Sequence, residues 1–170
     1  MSFTIGIVGL GLIGGSLGLD FSLWLKKRRI IGYDRERRIA LLAKEKGAVD
    51  DLAQSVEEVA READLLFIAT PIREIPKVFS LACPFLRRGT KVFDVGSSKE
   101  WVFEEIRPEE LGFEYLGFHP MGGAREGGIE RAQPGLFRGM PVLVVPKDLP
   151  QETKKLVQEL GIAIGGKVFF

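Results

Sequence analysis

The ten residues Ile5–Gly14, Ile-Gly-Ile-Val-Gly-Leu-Gly-Leu-Ile-Gly, constrain the fold of this chain more than any other stretch. The apolar run Phe3–Val8 suits a strand buried on both faces, the usual state of a strand inside a parallel sheet. Gly9, Gly11 and Gly14 then form G-x-G-x-x-G where that strand would turn into a helix. A second apolar run, Ile30–Tyr33, ends at Asp34, twenty positions after Gly14. Alone, the glycine pattern reads equally as a plain strand-to-helix turn. Strand, glycine turn, helix, strand and acid in that order make it a dinucleotide-binding fingerprint. Gly9 permits the tight turn, Gly11 lets the backbone approach a pyrophosphate, and Gly14 lets the helix sit against the strand. Leu12 and Ile13 begin the helix, whose N-terminus offers unpaired N–H groups and partial positive charge to phosphates.

The 170 residues suit one domain, 1–170. With 24 Lys and Arg against 23 Asp and Glu, the charges nearly cancel, which removes a global electrostatic case for nucleic acid or a membrane surface. The basic run 26–29 reads as a solvated helix end. Cys83 is the only cysteine, so no intramolecular disulfide or cysteine zinc cluster can form, and it reads as a small core residue. No metal-ligand spacing is present. The N-terminus lacks the features of a signal peptide, and no apolar run is long enough to span a bilayer, so a soluble cytoplasmic protein is expected.

Ile13, Leu17, Phe21 and Trp24 recur at helical spacing as a core stripe that leaves Asp20 to one side. Arg35–Lys46 reads as a helix ended by Gly47. Ser55 and Glu58 form a capping box for a helix over Ser55–Glu62. Leu65–Ala69 is an apolar strand closed by Thr70-Pro71, and a helix is expected over Glu74–Leu86. Lys91–Val95, Tyr115–Phe118 and Val142–Val145 read as further strands. Gln151–Leu160 is expected to be a helix ended by Gly161, and Ile162–Phe170 a last strand kinked at Gly165-Gly166. Strands alternating with helices imply an α/β, Rossmann-type doubly wound, mostly parallel sheet with helices on both faces. Ligands in such sheets bind outside the carboxyl ends of the strands. The loops expected there are Gly9–Gly14, Asp34-Arg35, Thr70–Arg73, Gly96–Lys99 and His119–Gly123.

Chemistry-bearing residues fall on those loops. His119, the only histidine, ends a strand and can exchange a proton near neutral pH; it reads either as a base or as a structural residue. Ser97 reads either as part of a helix-capping turn or as a contact to a substrate hydroxyl. Asp94 would hold that loop from inside the strand end. The Asp34 carboxylate suits the two adenosine ribose hydroxyls and repels a 2′-phosphate. Arg35 could stack on adenine or attract such a phosphate. Thr70 and Pro71 complete the cofactor-binding set, which favours NAD over NADP.

Together the motifs resemble the prephenate and arogenate dehydrogenases of tyrosine biosynthesis. The opening loop is similar to that family's cofactor loop, and Ala69-Thr70-Pro71 to its fourth-strand end. Asp94-Val95-Gly96-Ser97-Ser98-Lys99 is similar to its Asp-x-x-Ser-x-Lys segment, and His119-Pro120-Met121-Gly122-Gly123 to its His-Pro-Met-x-Gly signature. The resemblance implies NAD-dependent oxidative decarboxylation of prephenate or arogenate. In it His119 would take the proton of the ring hydroxyl, and Ser97 would orient that hydroxyl or His119. It further implies a helical domain that dimerises and grips the substrate carboxylates. This chain ends on the apolar Val168-Phe169-Phe170, before such a domain, so low activity alone and a helical or homo-oligomeric partner are expected. The resemblance does not assign Arg125 and Arg131. Two other readings are a related reductase acting on another small substrate and a non-catalytic NAD-binding regulatory module.

Overall fold

A computed structural model of the chain describes residues 3–108, 111–122 and 127–170; Gly123 and Arg125 lie outside these. The elements in chain order are β1 (Phe3–Val8), α1 (Leu12–Trp24), β2 (Arg28–Tyr33), α2 (Arg37–Glu45), β3 (Asp51–Leu52), α3 (Val56–Glu62) and β4 (Leu65–Ile68). They continue with α4 (Ile75–Ala82), β5 (Lys91–Asp94), α5 (Lys99–Ile106), β6 (Tyr115–Pro120), β7 (Pro141–Val145), α6 (Gln151–Ala163) and β8 (Lys167–Phe169). All eight strands form one sheet in the order β3-β2-β1-β4-β5-β6-β7-β8. The first six are parallel; β7 runs antiparallel to β6, and β8 runs parallel to β7.

Side chains alternate across the strands, so each face has its own core. One joins Ile5 and Ile7 of β1 to Leu17 and Phe21 of α1 and to Val157 and Leu160 of α6. The other joins Val8 and Leu66 to α3, α4 and α5 through Val59, Phe79 and Val102. Phe67 and Phe93, register partners on β4 and β5, stack at 4.8 Å, and Phe118 meets both edge-on. Such ring pairs add about 0.5–1.5 kcal/mol each beyond area burial. They make a stiff floor under the strand ends that carry the site. Among the described residues, no helix is long and apolar enough to cross a membrane. No three His, Cys, Asp or Glu side chains among them gather as metal ligands.

Local signals are realised where they depend on neighbours in sequence. Gly47 takes φ +82° after α2. The Ser55 Oγ accepts the Glu58 N–H at 3.2 Å as the capping box requires, whereas the Glu58 carboxylate accepts the N–H of Gln54, one residue before the N-cap, at 2.6 Å. Cys83 is half-buried, and burial pushes its thiol up.

Other expectations are corrected. The basic run does not end a helix. Arg28 and Arg29 lie in β2, where Arg28 pairs with Asp50 and Arg29 with Asp51 and Glu62. In α1 the stripe holds at Leu17 and Phe21, which are fully buried, but Trp24 is 63% exposed, and Asp20, off the stripe, is 1% exposed. Asp20 is buried because segment 129–137 covers that side of α1. A Cβ on Gly15 would lie 2.6 Å from Ile129 Cδ1. Asp20 Oδ1 accepts the Gly135 N–H at 2.8 Å, and Ser16 Oγ accepts the Gln133 N–H at 3.1 Å. Burial pushes the Asp20 carboxyl up, against the pull of the Gly135 N–H.

The stretch expected as one helix over Glu74–Leu86 is α4 flanked by 3₁₀ turns at Ile72–Glu74 and Cys83–Phe85. Pro84 supplies no N–H with which to continue the α-helix. Gly161 does not end α6. It packs inside the helix under Val168, whose Cγ2 lies 2.1 Å from where a Cβ would be. The chain turns instead at Gly165, φ +71°, which shortens the last strand to Lys167–Phe169. Two elements carried no usable sequence signal: β3, of two residues, and α5, which buries only Val102 and Ile106.

Candidate active site

The strand order reverses at β1, which lies between β2 and β4, and a cleft of about 510 Å³ opens there. That size suits a small organic ligand or cofactor. Its wall includes Gly9, Gly11, Leu12, Ile13, Asp34, Arg35, Thr70 and Pro71. Gly14 is not part of the wall. A Cβ there would sit 1.9 Å from the Gly9 carbonyl oxygen, so its role is the close seating of α1 on the turn. Gly9 takes φ +90° against the Ala69 backbone, a conformation that disfavours any side chain. Gly11 differs from both: a Cβ there would meet nothing within 4 Å. Its bareness serves no internal packing and leaves the backbone open toward the cleft. No side chain caps the α1 N-terminus, and no acid lies in its first turn. A phosphate group would meet free N–H groups and the positive end of the helix dipole.

Asp34 is locked in place. Its Oδ2 accepts the Leu10 N–H at 2.9 Å, and its Oδ1 accepts the Glu36 N–H at 2.9 Å. An ionised carboxylate has about four acceptor positions, so each oxygen can still receive a hydroxyl. Sequence reasoning missed Tyr33, Ile39 and Val78, which add apolar wall. The Ile39 signal was its place on the amphipathic face of α2; the others depend on which strands become neighbours.

Ser97 and His119 sit beyond the ends of β5 and on β6, the next strands along the sheet. Ser97 is exposed and His119 half-exposed, and no hydrogen bond joins them. Ser98 holds the N-cap position of α5, yet its side chain caps nothing. The turn is held instead by Asp94. This fully buried carboxylate accepts the Gly96 N–H at 2.9 Å and pairs with Lys99. The Lys99 Nζ also donates to the Asp94 carbonyl at 3.0 Å. Asp94 Oδ2 and the Tyr115 hydroxyl are buried without a partner of hydrogen-bond geometry. Burial pushes the Tyr115 phenol up, and the Asp94 carboxylate beside it adds to the push. Burial pushes the His119 imidazole down; the Lys99 charge pushes it further, and the Asp94 charge opposes. That direction favours the neutral imidazole, the form that can accept a proton.

Sheet order, glycine turn and cleft together define a Rossmann-type dinucleotide-fold domain. The family model described as "Prephenate dehydrogenase, nucleotide-binding domain" matches residues 17–170, and the chain belongs to that family. It is 32% identical over 164 residues to a prephenate dehydrogenase of Bacillus subtilis (strain 168), a match covering 94% of this chain and 43% of that protein. A solved arogenate dehydrogenase from Synechocystis superposes with a TM-score of 0.86 at 30% identity, covering 98% of this chain and 58% of that one. The prephenate dehydrogenase of Aquifex aeolicus, solved with hydroxyphenyl propionate and NAD+, gives 0.88 at 27% identity, covering 99% and 59%. This chain thus spans about half the length of the proteins it matches.

Proposed function

We propose that this chain is the cofactor-binding part of an NAD-dependent dehydrogenase that oxidatively decarboxylates prephenate or arogenate in the cytoplasm. The observation that carries the reading is the cleft at the β1 turn, with a half-buried His119 three strands along the sheet, on β6. The Gly11–Ile13 backbone would hold the pyrophosphate, and Asp34 the adenosine ribose. When bound, NAD supplies the hydride acceptor. His119 takes the proton from the ring hydroxyl as that carbon gives up its hydride, and Ser97 orients the hydroxyl. Loss of the ring carboxylate as carbon dioxide then yields the aromatic ring. A base on the hydroxyl oxygen lowers the barrier because that oxygen becomes carbonyl-like in the transition state.

Two measurements test the reading. Calorimetric titration should find NAD bound more tightly than NADP, because a 2′-phosphate would meet the Asp34 carboxylate. Asp34→Ser should narrow the gap; equal affinities in the unaltered chain would mean that Arg35 decides the preference. Turnover of prephenate and of arogenate should be slight for this chain alone. It should rise when the chain is joined to the remaining C-terminal segment of the Bacillus subtilis relative, because a substrate left ungripped forfeits orientation. NAD binding without turnover in the joined protein would favour a regulatory module instead.

A further inference from the structure

The ion pair beside His119 has a path as well as a pairing. Asp94 and Gly117 face each other in the register of β5 and β6. Tyr115, Gly117 and His119 alternate along β6 and so share one face of the sheet. The Lys99 stem crosses that face at Gly117, where a Cβ would lie 2.7 Å from both Cδ and Cε. Beyond the crossing, its ammonium group settles on Asp94. The same Asp94 oxygen accepts the Gly96 N–H, so one carboxylate holds both the turn that carries Ser97 and the lysine whose charge acts on the imidazole. An ion pair needed only for stability could form on any edge of the fold; this one requires a bare residue in a central strand.

We propose that Lys99 is a positioning residue for the His119 base, that Asp94 seats it, and that Gly117 is glycine so that its side chain can pass. This rests on the reading of His119 as the base. Among the described residues, the charges that act on His119 are Lys99 from α5 and Asp94 from β5. On β7 its register partner is Leu143, which does not titrate, and Tyr115 on its own strand stays neutral because burial holds its proton. Lys99 outweighs Asp94 at the imidazole, which keeps the ring free of its own extra proton.

His119 is the only histidine, so its imidazole C–H signal can be followed by NMR titration of this chain without ambiguity. Lys99→Met keeps the stem and removes the charge. The His119 midpoint should move to higher pH, and it should do so even if Asp94 takes up a proton, because the larger of two opposed influences is gone. A midpoint that stays or falls in the folded variant would overturn the proposal. Should Lys99→Met fail to fold, Gly117→Ala decides. It displaces the stem without changing any charge, so a raised midpoint supports the crossing and an unmoved one refutes it. Neither measurement contains substrate or cofactor, so a failure here is distinct from a failure to turn over prephenate.

Discussion

His119→Asn should lower turnover of the joined enzyme by roughly 10²–10⁴, the contribution of a positioned acid–base group, while leaving NAD affinity nearly unchanged. Asparagine keeps hydrogen-bonding capacity but cannot take up a proton near neutral pH. The cofactor cleft, whose wall does not include His119, should not sense the change. Single-turnover rates read the chemical step, and calorimetry reads the cofactor. The pH dependence has a definite sign. On the proposed mechanism the active form is the neutral imidazole, and burial together with Lys99 pushes its pKa down. The rate should therefore hold as pH falls through the ordinary imidazole range, near 6.5, and decline only below it. A variant as fast as the parent would remove His119 from the chemistry. A decline centred above 6.5 would mean that the base sits in a different environment from the one described.

Gly9→Ala should cost far more stability than Gly11→Ala, two residues along the same cofactor loop. Gly9 has φ +90°, and a Cβ there would lie 2.7 Å from the Ala69 carbonyl carbon and oxygen and 2.9 Å from the Thr70 nitrogen. These are backbone atoms at the end of β4 and cannot rotate away. A left-handed conformation costs a non-glycine residue about 1–2 kcal/mol, and forced overpacking a further 1–3 kcal/mol. Urea unfolding should thus show a loss of about 2–5 kcal/mol with little change in slope. Gly11→Ala is the internal control, since a Cβ there meets nothing. It should fold normally and lose NAD affinity instead. A loss below about 0.5 kcal/mol for Gly9→Ala would place it with ordinary surface substitutions and contradict the close approach of β1 and β4.

The contrast between those two glycines marks the limit of what the sequence could say. The spacing of Gly9, Gly11 and Gly14 located the turn, and Asp34 the acid at the next strand end, because each signal is local and has a fixed period. The division of labour among the glycines was legible only as a general scheme. The distances assign Gly14 to packing and Gly11 to open space. Asp20 shows the other failure. A helix wheel gives α1 one buried face, but segment 129–137, more than a hundred residues later, covers the opposite face and buries the acid. Lys99 was likewise invisible as a neighbour of His119. The two are twenty residues apart, and only the parallel pairing of β5 with β6 brings the lysine across Gly117.

Closure of both sides of α1 makes the helix a shared rigid axis. Its first turn faces the cleft through Leu12 and Ile13, and its later turns hold Gln133 and Gly135 through Ser16 and Asp20. The glycine turn at one end and the chain returning from the His119 strand at the other are therefore referenced to the same rod rather than to each other through flexible loops. Alignment between a bound dinucleotide and the stretch that follows β6 is then a matter of helix placement. An insertion in an exposed loop elsewhere would leave it intact, whereas a bulkier residue at Gly15 would tilt both at once.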